Sequence, residues 1–304
     1  MRVGVNLLNF GPGVSPAALL QWAQISEVLG YHSLMISDHV AITPSVRPRY
    51  PEPFYDPFTT LAWLAGQTKR VQLGTTVAVL PYRHPILTAR LVANIDQLSG
   101  GRFILGVGVG NPVDEFKVLG QPHARRGALA NECLEAMLAM WTGDGPISFH
   151  GRLVDFDDVS SIATAQRPHP PIWVGGISDA AFRRAARFGA GWHPILRSLD
   201  WTRDTGLPSL RQAAEQVQRP VPAFCPRIRL DVRAETISGE RMPGTGSLDQ
   251  VHADLQAIQD LGAEHVILDW NTGALAATQD HQHGWEMLAL VASRVVDLSN
   301  ETVR

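Results

Sequence analysis

The sequence predicts an α/β protein: one closed (β/α)8 barrel, the TIM-barrel architecture, with insertions. Three observations predict it. Short apolar runs of strand type alternate with helical periodicity about eight times, the pattern of parallel βαβ units. The 304 residues exceed the roughly 250 that such a barrel usually takes, which leaves room for insertions. No break in composition and no repeat of fixed period divides the chain, so residues 1–304 read as a single domain with an irregular insertion at about 144–171. A doubly wound open sheet is the alternative arrangement of the same units.

The elements follow in order. Residues 3–8 form the first strand. Ser15 caps a helix with Pro16 at its first position; Leu19, Trp22, Ala23 and Ser26 recur on one face, and Gly30 ends it. Residues 33–37 are the second strand, ending in Asp38-His39. Residues 43–57 hold Pro44, Pro48, Pro51, Pro53 and Pro57, a composition for a long non-helical surface excursion. A helix at 58–69 leads to a third strand at 71–77. A helix at 84–98 is turned by Gly100-Gly101 into the fourth strand, 102–108. Residues 123–141 form a helix on which Leu129, Cys133, Met137 and Met140 repeat at helical spacing. The insertion carries Phe149-His150-Gly151-Arg152 as a hairpin turn. The fifth strand, 171–174, runs through Gly175-Gly176 into a helix from about Ser178 to Phe188. A short sixth strand in 189–194, a helix at 209–217 and a seventh strand at 224–232 follow. A helix at 248–261, an eighth strand at 265–269 and a closing helix with Trp285, Leu288, Ala289, Ala292, Val295 and Val296 on its apolar face complete the barrel.

Composition narrows the function. Hydrophobic residues are 45% and charged ones 18%, ample for a core. The formal charge is -3 and no basic block stands out, so no nucleic-acid partner is expected. The 2 cysteines, Cys133 and Cys225, have no paired metal spacing, which argues against a disulfide framework and a zinc site and for a reducing cytoplasm. The start shows no basic segment followed by a long apolar one, so no signal peptide is expected. No apolar run spans a bilayer, so no membrane partner is expected.

A barrel places its chemistry at the C-terminal ends of its strands. The candidates are Asn6–Asn9, Asp38-His39, Thr76-Val77, Gly108–Asn111, Gly175-Gly176, Trp192-His193 and Asp269-Trp270. His39 at a strand end can carry a proton near neutral pH or hydrogen-bond a ring carbonyl; it can equally be tied to a loop carbonyl. Gly106, Gly108 and Gly110 leave no side chain where a strand opens, which lets a flat or phosphorylated ligand approach the backbone or merely relieves crowding. Gly175-Gly176 ahead of a helix is a phosphate cradle or an ordinary turn. The run from Gly106 to Gly110 lacks dinucleotide spacing, with Asn111 and Pro112 following. His281 and His283 fall in a polar loop without companion ligands, as solvated histidines.

Taken together, several pieces resemble the bacterial luciferase-like family of flavin- and deazaflavin-dependent oxidoreductases. They are Ser37-Asp38-His39, Leu73-Gly74-Thr75-Thr76-Val77, His84-Pro85, Leu98-Ser99-Gly100-Gly101-Arg102, Leu105–Gly110, Arg126 with Glu132, Pro171–Gly176 and Gly191-Trp192, in order over about two thirds of the chain. The resemblance implies a barrel that binds coenzyme F420, or alternatively FMN, and transfers hydride between the cofactor and a small, moderately apolar substrate. It implies His39 as the proton carrier. The implied cofactor-binding positions are Asp38, Thr76, Val77, Gly108, Gly110, Asn111, Gly175, Gly176, Ile177, Ser178, Gly191 and Trp192, with no metal. It further implies a non-prolyl cis peptide at Thr76-Val77 against the ring, and the phosphate end near Gly175–Ser178 and Gly191-Trp192. At Asn111 the chain departs from the family's sugar-phosphate dehydrogenases, which carry a glutamate proposed as an acid; Asn111 cannot take that role. Family members are often dimers, and the helices at 58–69 and 84–98 could supply a homodimer interface. An FMN-dependent monooxygenase would add a flavin reductase partner. A non-catalytic flavin-binding barrel and a metal-dependent hydrolase drawing on His39, His84, His193 and Asp269 are the readings from other classes.

Overall fold

A computed structural model of the chain describes residues 1–270, 278–279 and 281–304. Its barrel strands are β1 (Arg2–Leu7), β2 (Ser33–Ile36), β3 (Gln72–Thr75), β4 (Phe103–Gly108), β5 (Ile172–Gly175), β6 (Gly191–His193), β7 in two pieces (Ala223–Phe224 and Arg227–Arg229) and β8 (His265–Asp269). All pair in parallel around a ring. The first piece of β7 joins β6 and the second joins β8, which closes it. The helices between them are α1 (Pro16–Leu29), α2 (Pro57–Gln67), α3 (Pro85–Leu98), α4 (Val113–Val118), α5 (Arg126–Thr142), α6 (Asp179–Phe188), α7 (Leu207–Gln216), α8 (Leu248–Asp260) and α9 (His281–Arg294).

Strand alternation sorts the side chains into two sets. Val3, Val5, Leu34, Ile36, Leu105, Val107, Val174 and Leu268 join the core packed under the helices, with Trp22, Leu61, Val92 and Met137. Truncating one such side chain, Met137→Ala for example, costs roughly 2–5 kcal/mol. The inward set begins with an apolar layer of Met35, Ile104, Trp173, Cys225 and Ile267. Nearer the strands' C-terminal ends it turns polar, with buried Asn6, Thr76, His193, Arg227 and Asp269. Gly106 is required where β3 and β4 approach: a Cβ there would lie 1.9 Å from the Thr75 carbonyl oxygen.

Residues singled out from the sequence also hold the fold together. Ser15 caps α1 by accepting from the Ala18 amide. Arg102 donates to the carbonyls of Ala65, Thr68, Val71 and Ser99, tying β4 to the end of α2. Glu132 accepts from the Leu153 and Val154 amides and holds the insertion against α5.

Three expectations need correction. The seventh strand is broken rather than continuous over 224–232, because Pro226 has no N–H to donate; Asp231–Val232 instead pairs with Thr245–Gly246. The insertion is not wholly irregular: Pro146–His150 and Asp155–Ser160 form an antiparallel hairpin around the anticipated turn. His281 and His283 lie on α9, not in a loop; His281 is buried, and its Nδ1 is 3.0 Å from the indole nitrogen of Trp22. Short helical segments at Val113–Val118 and Leu199–Gly206 precede α5 and α7, too short for a periodic signal. Among the described residues no helix is long and apolar enough to cross a membrane.

Candidate active site

A cavity of about 300 Å³ opens at the C-terminal end of the barrel. The ends of β3, β4, β5 and β6 supply Thr76, Val77, Gly108, Val109, Gly110, Gly175, Gly176 and His193; Ile177, Ile195, Arg197 and Arg227 complete the lining. The Thr76–Val77 peptide is cis. The floor is largely without side chains. A Cβ on Gly108 would stand 2.6 Å from Val77 Cγ2, and one on Gly175 3.3 Å from Val77 Cγ1 and from the Val107 carbonyl. Gly176 holds φ +107°, a conformation that glycine adopts without strain. The mouth carries exposed Ile177 and Ile195 and the exposed Arg197.

Beneath the floor lies a buried polar cluster. Arg227 Nε and Nη2 reach Asp269 Oδ2 at 2.9 and 2.7 Å, and Asn6 donates to Asp269 Oδ1 at 2.7 Å. Arg227 Nη1 donates to the Thr76 carbonyl and, at 3.2 Å, to Thr76 Oγ1. Thr76 Oγ1 is 2.8 Å from His193 Nε2, and His193 Nδ1 meets the Cys225 carbonyl. A carbonyl only accepts, so Nδ1 carries the ring proton and Nε2 accepts from the Thr76 hydroxyl. Complete burial pushes His193 down to about 4, beyond what the Cys225 bond restores, and nearby Arg227 adds to the effect. The ring is therefore neutral at pH 7 and serves as an acceptor that fixes Thr76.

At the edge, α4 brings Glu115 to the loop after β2. Its side chain is fully buried. Oε1 accepts from the Val40 and Ala41 amides at 2.8 and 3.1 Å; Oε2 is 2.8 Å from both the Tyr82 hydroxyl and His39 Nδ1. Burial acts to raise the Glu115 pKa, but the bonds from His39, Val40 and Tyr82 outweigh it, and the carboxyl sits below its usual range. Burial and the same contact push Tyr82 far up, so its hydroxyl keeps its proton. His39 packs against Tyr50 and Phe54, with ring centroids 4.5 and 5.9 Å away.

Of the positions read from sequence, Thr76, Val77, Gly108, Gly110, Gly175, Gly176 and Ile177 share the cavity lining. Others lie elsewhere. Asp38 is buried and clamped by Arg83 at 2.7 and 2.9 Å and by the Val79 amide at 2.8 Å. Arg83 also reaches Asp56 at 2.8 Å. Asn111 is exposed, and its carbonyl meets His123 at 3.0 Å. Ser178 caps α6. Gly191 and Trp192 are buried in β6 beside β5, where the Trp192 indole donates to the Gly176 carbonyl at 2.8 Å and steadies that turn. His39 does not line the cavity; Glu115 links it to Tyr82, whose hydroxyl would lie 3.2 Å from a Cβ on the lining residue Gly110. Glu115, Tyr82, Arg83, Arg197 and Arg227 were not singled out from sequence. A charged residue at an inward strand position, as Arg227 is in alternation with Cys225, was the available signal, since such a charge needs a partner.

The family model for luciferase-like monooxygenases matches residues 1–242. An uncharacterized protein of Mycobacterium tuberculosis is 34% identical over 182 residues, covering 56% of this chain and 62% of its own length. The F420-dependent glucose-6-phosphate dehydrogenase of Amycolatopsis mediterranei is 28% identical over 214 residues, 68% of this chain and 62% of that protein. The chain thus spans less than two thirds of these two relatives. Among solved structures, the oxygenating constituent of 3,6-diketocamphane monooxygenase from Pseudomonas putida, in complex with FMN, superposes with a TM-score of 0.77 at 18% identity, covering 96% of this chain and 97% of that one. That likeness concerns the fold.

Proposed function

This chain belongs to the luciferase-like monooxygenase family, and from that premise we propose that it is a coenzyme F420-dependent oxidoreductase acting on a small, moderately apolar molecule. The observation that carries the proposal is the cavity itself. Its floor of Thr76, Val77, Gly108 and Gly175 offers backbone and two small methyl-bearing side chains to a flat ring, and no charged group projects from those four positions. Its volume of about 300 Å³ lies at the small end of ligand pockets. Gly176 and Arg197 supply a backbone amide and positive charge at the mouth for an anionic tail.

When bound, a deazaflavin supplies hydride transfer at its central ring carbon, chemistry that belongs to the cofactor. The chain's own residues do the rest. Arg227, held by Asp269, fixes the Thr76 carbonyl and hydroxyl, so the strand end beneath the ring stays in one geometry. Tyr50 and Phe54 cover His39 with aromatic surface and restrict water. His39 holds or moves one proton at Nε2, the nitrogen turned away from Glu115. The F420-dependent relative from Amycolatopsis supports the deazaflavin; Asn111 speaks against a sugar-phosphate substrate. The FMN-containing Pseudomonas structure favours the second reading, an FMN-dependent monooxygenase served by a reductase. We place the protein in the cytoplasm.

The test mixes reduced F420 and the protein with a panel of small apolar ketones and enones and follows reappearance of the oxidised cofactor, in parallel with oxygen uptake in the presence of reduced FMN. Reoxidation of F420 that is slowed at least ~100-fold in His39→Ala, the usual scale for one proton-transfer group, is expected. Oxygen uptake with FMN and silence with F420 would replace the proposal with the second reading.

A further inference from the structure

We propose that Glu115 is the positioning residue that fixes the proton of His39 on Nδ1 and thereby keeps Nε2 as the proton-accepting atom. As a step in catalysis this rests on the oxidoreductase reading; as a statement about the imidazole it stands alone. The cluster has four donors and one acceptor group. The Val40 and Ala41 amides are donors by constitution, and they occupy Oε1. The Tyr82 hydroxyl donates to Oε2. A carboxylate so supplied, on a fully buried side chain, is ionised and has no proton to give. The remaining contact, 2.8 Å from Oε2 to His39 Nδ1, therefore has only one sense: Nδ1–H donates.

The other ring nitrogen is different. Among the described residues Nε2 of His39 has no hydrogen-bond partner, and it is not among the fully enclosed atoms. The ring packs against Tyr50 and Phe54, with centroids 4.5 and 5.9 Å away, and turning it to present Nδ1 instead would lose the Glu115 contact. The result is an imidazole whose Nε2 is left without a partner among the described residues while its Nδ1 side rests on a fixed negative charge. That charge also stabilises the imidazolium formed when Nε2 takes a proton. Asp114, next in sequence, does not compete, since its carboxylate is engaged by Ser45. Glu115 thus ties the loop after β2 to α4 and sets the hydrogen inventory of His39 by the same four bonds.

The alternative is that Glu115 is only a loop staple, and the tautomer distinguishes the two. In Glu115→Gln the amide oxygen still accepts the Val40 and Ala41 amides, which leaves NH2 facing His39. Nδ1 must then accept, and the proton moves to Nε2. The experiment uses the full chain labelled with [15N]histidine, with long-range 1H–15N spectra recorded where the imidazole is neutral and His39 assigned by its loss in His39→Gln. The expected result is Nδ1–H in the native protein and in Tyr82→Phe, and Nε2–H in Glu115→Gln. Nε2–H in the native protein, Nδ1–H retained in Glu115→Gln, or a switch in Tyr82→Phe overturns the proposal. Should Glu115→Gln fail to fold, the native protein and Tyr82→Phe decide it alone. Binding of F420 and FMN measured on the same samples separates the readings: a native protein that takes neither cofactor removes the oxidoreductase reading and leaves the tautomer result standing.

Discussion

Two buried polar clusters meet at the C-terminal end of the barrel, and they are built to different ends. Under the cavity, Arg227 and Asp269 pair with each other, and both nitrogens of His193 are spent on Thr76 and the Cys225 carbonyl. At the edge, Glu115 gathers four donors, yet the histidine among them keeps one nitrogen unpartnered among the described residues. A closed network fixes geometry. An open one can exchange a proton. The same residue types, a carboxylate and a histidine, become scaffold or reactive group according to where the last hydrogen bond goes.

The comparison can be broken most severely at Asp269. Asp269→Ala leaves the Arg227 guanidinium buried without its counter-charge, and a loss of about 3–5 kcal/mol in urea unfolding is expected. A loss under about 1 kcal/mol would mean that the lower cluster is not a scaffold. The next effect is acid sensitivity. His193 is held down to about 4 from 6.5, so the unfolded chain takes up the proton first as pH falls. Stability should therefore drop as pH falls from about 6.5 towards 4, by up to ~3 kcal/mol. His265, pushed down to about 3 by burial, acts in the same sense. Glu115 adds its contribution only at more acid pH, because its depressed carboxyl stays ionised below 4.5. Urea midpoints at a series of pH values would show the slope, and His193→Asn should flatten it. Tyr82→Phe removes one of the four donors on Glu115 and should cost about 1–2 kcal/mol. Asn111→Ala, on an exposed position outside both clusters, should stay within about 0.5 kcal/mol of the native protein and bind cofactor unchanged.

The barrel was legible because its outer layer follows simple periods. Leu19, Trp22, Ala23 and Ser26 on α1 are all buried, as their spacing requires. The glycine-rich strand ends were legible as absent side chains, and Gly108, Gly110, Gly175 and Gly176 do surround one cavity. The clusters were not legible. Arg227 and Asp269 are 42 positions apart and Glu115 lies 76 from His39; only ring closure and the turn into α4 bring them together. Asp38, adjacent to His39, points instead to Arg83, because successive residues leaving a strand face opposite ways.

Equilibrium binding tests the central claim most directly. Oxidised F420 and FMN would be titrated side by side against the purified chain by fluorescence quenching, with Gly175→Leu as a variant whose new side chain starts 3.3 Å from Val77 and fills the floor. F420 should bind more tightly than FMN, and Gly175→Leu should weaken that binding by tenfold or more, about 1.4 kcal/mol. Binding of neither cofactor, or binding that Gly175→Leu leaves untouched, would contradict a flavin-type site at these strand ends.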